Sequence, residues 1–354
     1  MESLVHDAIV IGAGVMGSWA ALQLARRNAK VLLLEQFPMP HMQGSSTGET
    51  RGLELASSNE EEMPMMLHSR RLWEELQDST GETLLKWLTP AEFKEELPKV
   101  VYPDVTGAIS DGSGALWLTP AEFKEELPKV VYPDVTGAIS DGSGALLVAA
   151  KCLRVIHREF TLLGGTLLDD TAVVEIIPEY SSENCAAVRV RQTSSSGESE
   201  SVLKANKILV CCGAWSAELV KPFGLDIPIT KELAIEGHFQ LKDTKSELSR
   251  CGIMDFRTNP KPSFHGWCHP PFALPNKVKW LADYLHCVGP ILKSPSVLIG
   301  LPSGTGFKLC PSLGSILAAM ALGKLSQEIE SINIKEDTLK AYYPDRFVVL
   351  SKEE

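Results

Sequence analysis

An α/β fold built on a buried parallel sheet is what this sequence predicts. Three observations predict it. An apolar segment feeds directly into a glycine-rich turn and a helix, a second apolar segment ends on an acid, and helical and strand-like stretches keep alternating along the 354 residues. The first segment, Ala8-Ile9-Val10-Ile11, is apolar at successive positions, as a strand covered on both faces requires. Gly12-Ala13-Gly14-Val15-Met16-Gly17 follows at once. Gly12 permits the tight turn, Gly14 leaves the backbone open to an approaching pyrophosphate, and Gly17 lets the helix pack closely on the strand. The helix from about Val15 to Arg27 aims its positive N-terminal end at the phosphates. A second strand, Val31–Leu34, delivers Glu35, 18 residues after Gly17. Its carboxylate can accept hydrogen bonds from both hydroxyls of an adenosine ribose. The pattern is a Rossmann-type dinucleotide fingerprint, and an acid at position 35 favours FAD or NAD over NADP.

Composition narrows the class. The chain is 44% hydrophobic, with a mean hydropathy near zero, as a globular protein of one large or two ordinary domains would be. A net charge of −11 disfavours nucleic acid and anionic membrane as partners. No apolar run reaches the length of a membrane span, and because the N-terminus runs straight into a strand no signal peptide is expected. Eight scattered cysteines fit a reducing compartment. The expected location is intracellular, cytoplasmic or peroxisomal, although the terminal Ser351-Lys352-Glu353-Glu354 is not an SKL-type address. Cys268-His269 and His286-Cys287 match no standard zinc spacing, so no metal is expected. His41, near the loop after Glu35, could face the cofactor but reads more readily as a surface histidine.

Downstream, residues 63–78 read as a helix with Leu67, Leu72 and Leu76 on its apolar side. Residues 87–116, WLTPAEFKEELPKVVYPDVTGAISDGSGAL, then recur unchanged at 117–146. Solenoid units diverge and occur in larger numbers, so this is a recent duplication, an engineered insertion or a gene-model error. Each copy opens a helix with a capping box, Thr89 to Glu92 and Thr119 to Glu122. Two such units cannot share one native slot, and the second copy is expected to fill it. Residues 147–163 form a further helix, a strand lies around Val173–Ile177, and Thr193 to Ser201 is a hairpin tip or loop. Lys207 to Cys211 is another buried strand leading into Gly213-Ala214-Trp215. Residues 221–294 are rich in proline and aromatics and suggest an irregular, β-rich unit. Val297–Gly300 is a short strand, and Gly304-Thr305-Gly306-Phe307-Lys308 opens a helix from about Pro311 to Leu325.

Five of these segments, in order, resemble the FAD-dependent sarcosine oxidase and L-pipecolate oxidase group of amine oxidases. They are the fingerprint ending Leu33-Leu34-Glu35-Gln36-Phe37, the loop Gly44-Ser45-Ser46-Thr47-Gly48-Glu49-Thr50-Arg51, the turn Ser143 to Leu146, the strand and turn Ile208 to Trp215, and Gly304 to Lys308. The resemblance implies a discontinuous FAD-binding domain (1–86, 147–220 and 295–330) and an interleaved β-rich substrate domain. The latter comprises 221–294, shorter than in the family, and part of the duplicated 87–146; residues 331–354 would be a C-terminal tail. It also implies oxidation of a secondary or N-methyl amino acid: hydride transfer to flavin, then reduction of O₂ to H₂O₂. By resemblance Arg51 lies beside the isoalloxazine and Lys308 pairs with the substrate carboxylate, the two catalytic candidates. Ser45, Ser46, Gly48 and Thr50 would line the FAD, with Gly213, Trp215 and Gly304 near it. The expected partners are a small amino acid and O₂, and the expected state is a monomer.

The sequence also departs from that group. Thr47 replaces a histidine beside the flavin, and Glu54 replaces an arginine that holds the substrate carboxylate. At about 4 Å an acid there repels a carboxylate by roughly 4 kcal/mol at an effective dielectric of about 20. The segment whose cysteine attaches FAD covalently is absent, so FAD is expected to be non-covalent. By the same resemblance, the lysine that activates oxygen is expected at Lys277 or Lys279. Two other readings therefore stay open: a catalytically impaired or inactive FAD-binding paralogue or defective gene model, and an NAD-dependent dehydrogenase, against which the Gly44–Arg51 loop argues.

Overall fold

The protein is described from a computed structural model, over residues 5–48, 50–53, 60–87, 116–126, 138–140, 145–180, 185–194, 197–229, 253–254, 266–268, 276–277, 286–292, 294–302 and 306–347. The fingerprint forms as its sequence dictates. Strand β1 (Val5–Ile11) leads through the glycine turn into helix α1 (Val15–Arg26), and β2 (Val31–Leu34) pairs with β1 in parallel register, Ile9 opposite Leu32. The next elements are β3 (Thr50–Leu53), α2 (Met63–Thr80), β4 (Leu85–Trp87), β5 (Leu116–Leu118), α3 (Pro120–Glu126), β6 (Ala138–Ser140), β7 (Ala145–Val148) and α4 (Ala149–Leu162). Strands β8 (Thr166–Leu168), β9 (Thr171–Tyr180), β10 (Cys185–Ser194) and β11 (Gly197–Val210) follow, then the short helix α5 (Ser216–Val220).

β11 organises the main sheet. Its second half lies parallel to β1, Ile11 opposite Val210, while its first half closes an antiparallel hairpin with β10. Eight strands join this sheet, with β8 beyond β2, and with β15 (Cys287–Ile291) and β16 (Ser294–Leu301) beyond β11. The hairpin expected around Thr193 to Ser201 is present, but its strands run through most of that polar stretch. The β15–β16 hairpin straddles the boundary drawn at 294/295, so part of the 221–294 segment belongs to the nucleotide-side sheet. Elsewhere in that segment, β12 (Ile253–Met254), β13 (Gly266–Cys268) and β14 (Asn276–Lys277) form a small antiparallel sheet.

The apolar strands are buried on both faces, as their unbroken hydrophobicity predicted. Ala8, Val10, Leu33 and Leu209 pack with α1, α2, α4 and helix α6 (Gly306–Ala321) on one face. Ile9, Ile11, Leu32 and Val210 pack with Ile176, Val188 and Val190 of the meander on the other. Trp19 and Trp73 cross edge to face at 4.9 Å between the helices, and Trp73 stacks on Phe307 at 5.9 Å. Leu72 and Leu76 are buried as expected, but Leu67 is exposed, because it lies five residues before Leu72, about 140° round α2 from it, and so falls off the Met65-Ser69-Leu72-Leu76 stripe.

Two further expectations are corrected. α6 begins at Gly306, not at Pro311, which lies inside it. Residues 331–347 are no loose tail: helices α7 (Leu325–Ile332) and α8 (Glu336–Lys340) bring Ile332, Ile334, Leu339 and Tyr342 into the core.

The duplication meets the fold in an uneven way. β4, ending on the first residue of copy one, pairs with β7, which begins in copy two, Trp87 opposite Ala145. The equivalent Trp117 instead pairs with Ile139 in a separate two-stranded antiparallel sheet, β5–β6. The capping box of the second copy forms: Thr119 N–H donates to the Glu122 carboxylate at 2.7 Å, and Glu122 N–H points back at Thr119 Oγ1 at 3.4 Å. The Thr89 box lies outside the described residues.

Candidate functional site

The site starts at the glycine turn. Gly12 takes φ +99°, and a Cβ there would meet the Cys211 carbonyl oxygen at 2.6 Å. A Cβ on Gly17 would lie 1.9 Å from the Gly12 oxygen, so only glycine lets α1 start this close to the strand. No acid occupies the first turn of α1, which leaves its N-terminal field free for an anion.

Between the glycines, the peptide groups of Ala13 are held from both ends. Its N–H donates to Glu35 Oε2 at 2.9 Å. Its carbonyl accepts from Ser18 Oγ at 2.9 Å and lies 3.2 Å from His157 Nε2, which is also 2.8 Å from Ser18 Oγ. Burial lowers the His157 pKa to about 4, so the ring is neutral at pH 7. Sequence reading missed Ser18 and His157. Ser18 sits at a helix position with no motif value, and His157 lies 139 residues beyond it.

Glu35 is 6% exposed. Its second oxygen, Oε1, accepts the Phe37 N–H at 3.1 Å and faces His41 Nε2 at 3.6 Å. Phe37 packs its ring against both His41 (5.3 Å) and Trp215 (5.6 Å). His41 is therefore no surface histidine: its side chain is 16% exposed and turned toward the carboxylate. Trp215, predicted near the cofactor, completes this rim beside Gly44, and Gly213 adopts φ +53° at the turn that carries it.

The loop Gly44–Gly48 crosses the glycine turn. Ser46 Oγ accepts the Val15 N–H at 3.0 Å and lies 3.0 Å from where a Gly14 Cβ would stand. Arg51 binds this loop from beneath, one Nη2 donating to the Ser45 and Thr47 carbonyls at 2.6 and 2.5 Å. Gly48 takes φ +121° at the loop's exit, and Thr50 opens β3 opposite Val148 of β7.

Arg51 also lies over the Phe307 ring at 5.8 Å, which places it against the first turn of α6, next to Lys308. Lys308 is 7% exposed, so its charge is held inside the fold and is not a solvated surface group. Burial first, then the field of Arg346 and last that of Lys308, lowers the His286 pKa to about 4. His286 packs edge-on against Tyr342 at 5.5 Å, and Tyr342 donates to Glu62 at 3.0 Å. The structure thus gathers Gly12, Gly14, Gly17, Glu35, Ser45, Ser46, Gly48, Gly213 and Trp215 around one turn, with Arg51 linking that turn to Phe307 and Lys308. Gly304 and Glu54 lie outside the described residues.

Chemically, the nucleotide half fits a dinucleotide: a cradle that a Cβ would fill, an acid-free helix start, and a buried carboxylate beside the turn. Six described cysteines are free, and burial raises the thiols of Cys152, Cys211, Cys212, Cys287 and Cys310, which keeps them protonated. No group of His, Cys, Asp and Glu among the described residues could hold a metal ion, and none of their helices is long and apolar enough to cross a membrane.

Comparison with known proteins gives the same reading of the fold. The family described as FAD dependent oxidoreductase matches residues 7–252. Human peroxisomal sarcosine oxidase is 30% identical over 253 residues, 63% of this chain and 54% of that protein. Monomeric sarcosine oxidase of Bacillus sp. (strain B-0618) is 28% identical over 243 residues, 68% of this chain and 59% of that protein. The chain thus spans little more than half the length of these relatives. Among solved structures, NikD, an unusual amino acid oxidase essential for nikkomycin biosynthesis, aligns with a TM-score of 0.66 over 99% of both chains at 15% identity. Glycine oxidase of Geobacillus kaustophilus aligns at 0.62 over 90% of this chain and 95% of its own, at 17% identity. The resemblance to the sarcosine oxidase group is borne out by these relatives, and the solved structures share the fold.

Proposed function

The chain belongs to the FAD dependent oxidoreductase family, and from that premise we propose that it oxidises a secondary or N-methyl amino acid of sarcosine or L-pipecolate type. Bound FAD would supply the hydride acceptor, and its reoxidation by O₂ would give H₂O₂. The observation that carries this reading is the meeting of two distant segments of the nucleotide-binding unit. Arg51 reaches from the loop over the glycine turn to Phe307, beside a buried Lys308.

The chain's own groups have separable tasks. Gly12, Gly14, Gly17 and the start of α1 hold the pyrophosphate, with Ser45, Ser46, Gly48 and Thr50 covering it. Glu35 takes the adenosine ribose, and Gly213, Trp215 and Gly304 border the cofactor. Lys308 binds the substrate carboxylate, its burial strengthening the pairing by lowering the local dielectric. Arg51 fixes the loop and supplies positive charge where the flavin ring would lie. The protonated buried thiols support non-covalent FAD. The substrate domain is assigned to 221–286 and part of the duplication, and the working state to a monomer.

The test is spectroscopic. Purified protein mixed with FAD should turn yellow, release all its flavin on acid precipitation, and bleach anaerobically with sarcosine or L-pipecolate. A protein that stays colourless with added FAD sinks the proposal. A second reading, an FAD binder with impaired turnover, is favoured by Glu54, whose charge opposes a carboxylate substrate. Bound but unreduced flavin, with reduction restored by Glu54→Arg, would select it.

A further inference from the structure

The pair of groups at the rim, Glu35 and His41, has an asymmetry. A carboxylate only accepts hydrogen bonds, whereas a ribose hydroxyl both donates one and accepts others. Glu35 alone therefore leaves the acceptor side of a bound hydroxyl unmet. His41 is built to meet it. Its Nδ1 accepts the Gln43 N–H at 3.1 Å, and a ring nitrogen that accepts carries no proton. The ring proton of neutral His41 is thus on Nε2, the atom facing Glu35 Oε1. Their 3.6 Å separation is too long for a direct hydrogen bond and too short to hold an oxygen on the line between them, but an oxygen seated to one side of the pair, at about 2.8–3.0 Å from each, is within reach of both. The ring is held by Phe37, which Trp215 backs, so the orientation belongs to the rim and not to a free surface rotamer.

We propose that His41 is a binding residue for the adenosine ribose: its Nε2–H donates to the same hydroxyl whose proton Glu35 accepts, so one hydroxyl is read in both directions. This rests on the FAD-binding reading above and goes further by naming a second ribose ligand and its tautomer. The arrangement selects a free diol. A phosphate ester at that oxygen has no proton for Glu35 and brings negative charge against it.

The experiment measures FAD affinity by quenching of flavin fluorescence with apoprotein, for wild type, His41→Leu, His41→Asn and His41→Gln. Each is titrated with FAD and with FAD whose adenosine is 2′-deoxy or 3′-deoxy. Loss of one buried hydrogen bond weakens binding by about tenfold. His41→Leu and His41→Asn should show that loss for FAD. His41→Gln, whose amide N–H reaches the Nε2 position, should stay within about threefold. With one of the two deoxy analogues the wild type should already be weakened, and His41→Leu should weaken it no further. Equal weakening of all three ligands, or failure of Gln to outperform Asn, overturns the proposal by showing a merely structural histidine. Unchanged FAD affinity in His41→Leu overturns it while leaving FAD binding intact. If wild type binds no FAD, the functional reading falls first and this inference falls with it. Should His41→Leu not fold, the Gln and Asn pair with the deoxy analogues decides the matter alone.

Discussion

Single residues set the nucleotide end of this protein through steric exclusion. A methyl group at position 17 would lie 1.9 Å from the Gly12 oxygen, which is backbone and cannot swing aside. Gly17→Ala should therefore destabilise the fold by about 1–3 kcal/mol, as overpacking does, and lower flavin affinity together with it. Urea unfolding and fluorescence titration on the same preparation would check both. The Ala13 clamp makes a different demand, because burial, against the pull of the hydrogen bond to the Ala13 carbonyl, keeps its histidine neutral. With its folded pKa near 4, His157 stays unprotonated in the fold, while the unfolded chain takes up a proton below about pH 6.5. Its contribution is intact above about 6.5 and is lost as pH falls toward 4, at up to about 1.4 kcal/mol per pH unit. His286 has the same sign and window. The melting temperature should fall steeply between pH 6.5 and 4, and His157→Gln should flatten that slope.

At the scale of elements, the meeting of α2 with α6 is decided by a proline. Pro311 has no N–H to give and crowds the preceding turn, so α6 needs partners from outside its own ladder. α2 supplies them. Ser69 Oγ accepts the Ser312 N–H at 3.1 Å and lies 3.2 Å from the Leu309 carbonyl, while Ser312 Oγ donates to the Met65 carbonyl at 2.7 Å. Ser69→Ala leaves a buried N–H unmet and should cost about 1–3 kcal/mol. Because α6 carries Phe307 and Lys308, the same change should raise the KM for the amino acid more than it lowers flavin affinity. Steady-state kinetics with a parallel flavin titration would separate the two. Gly314 allows this packing on the other side, where a Cβ would meet the Ala20 nitrogen of α1 at 2.8 Å.

For the whole molecule, the duplication poses the main question. The sheet that carries Arg51 joins β3, β7 and β4, and its β4–β7 pairing takes one strand from the edge of copy one and the other from copy two. Because the copies are identical, cutting out thirty residues leaves one and the same sequence whichever copy is removed. In that product β4 is still followed by a capped helix and then β7, with the register between them unchanged. The shortened chain should melt at the same temperature or higher and bind FAD at least as tightly. A drop of several degrees would mean that the second copy packs against the rest of the fold. Closing a loop shorter by thirty residues changes the entropy only by tenths to about one kcal/mol, so the comparison reads packing and not chain length.

The sequence by itself determined the nucleotide half. Consecutive apolar residues, fixed glycine spacing and an acid at the end of the second strand are local demands, and they left β1, the turn, α1, β2 and Glu35 no other arrangement. The GSSTGETR loop could be read as a cofactor element only through family likeness. Nothing local in it says that Ser46 meets Val15 or that Arg51 ties the loop to Phe307, 256 residues further on. The tertiary structure alone decided those contacts, along with the burial of Lys308, the Ser18–His157 clamp and the turning of His41 toward Glu35. The physical reason is range. A turn or a strand is specified by neighbours a few residues apart. A buried charge or a histidine tautomer is specified by partners that only the folded sheet brings within hydrogen-bond reach.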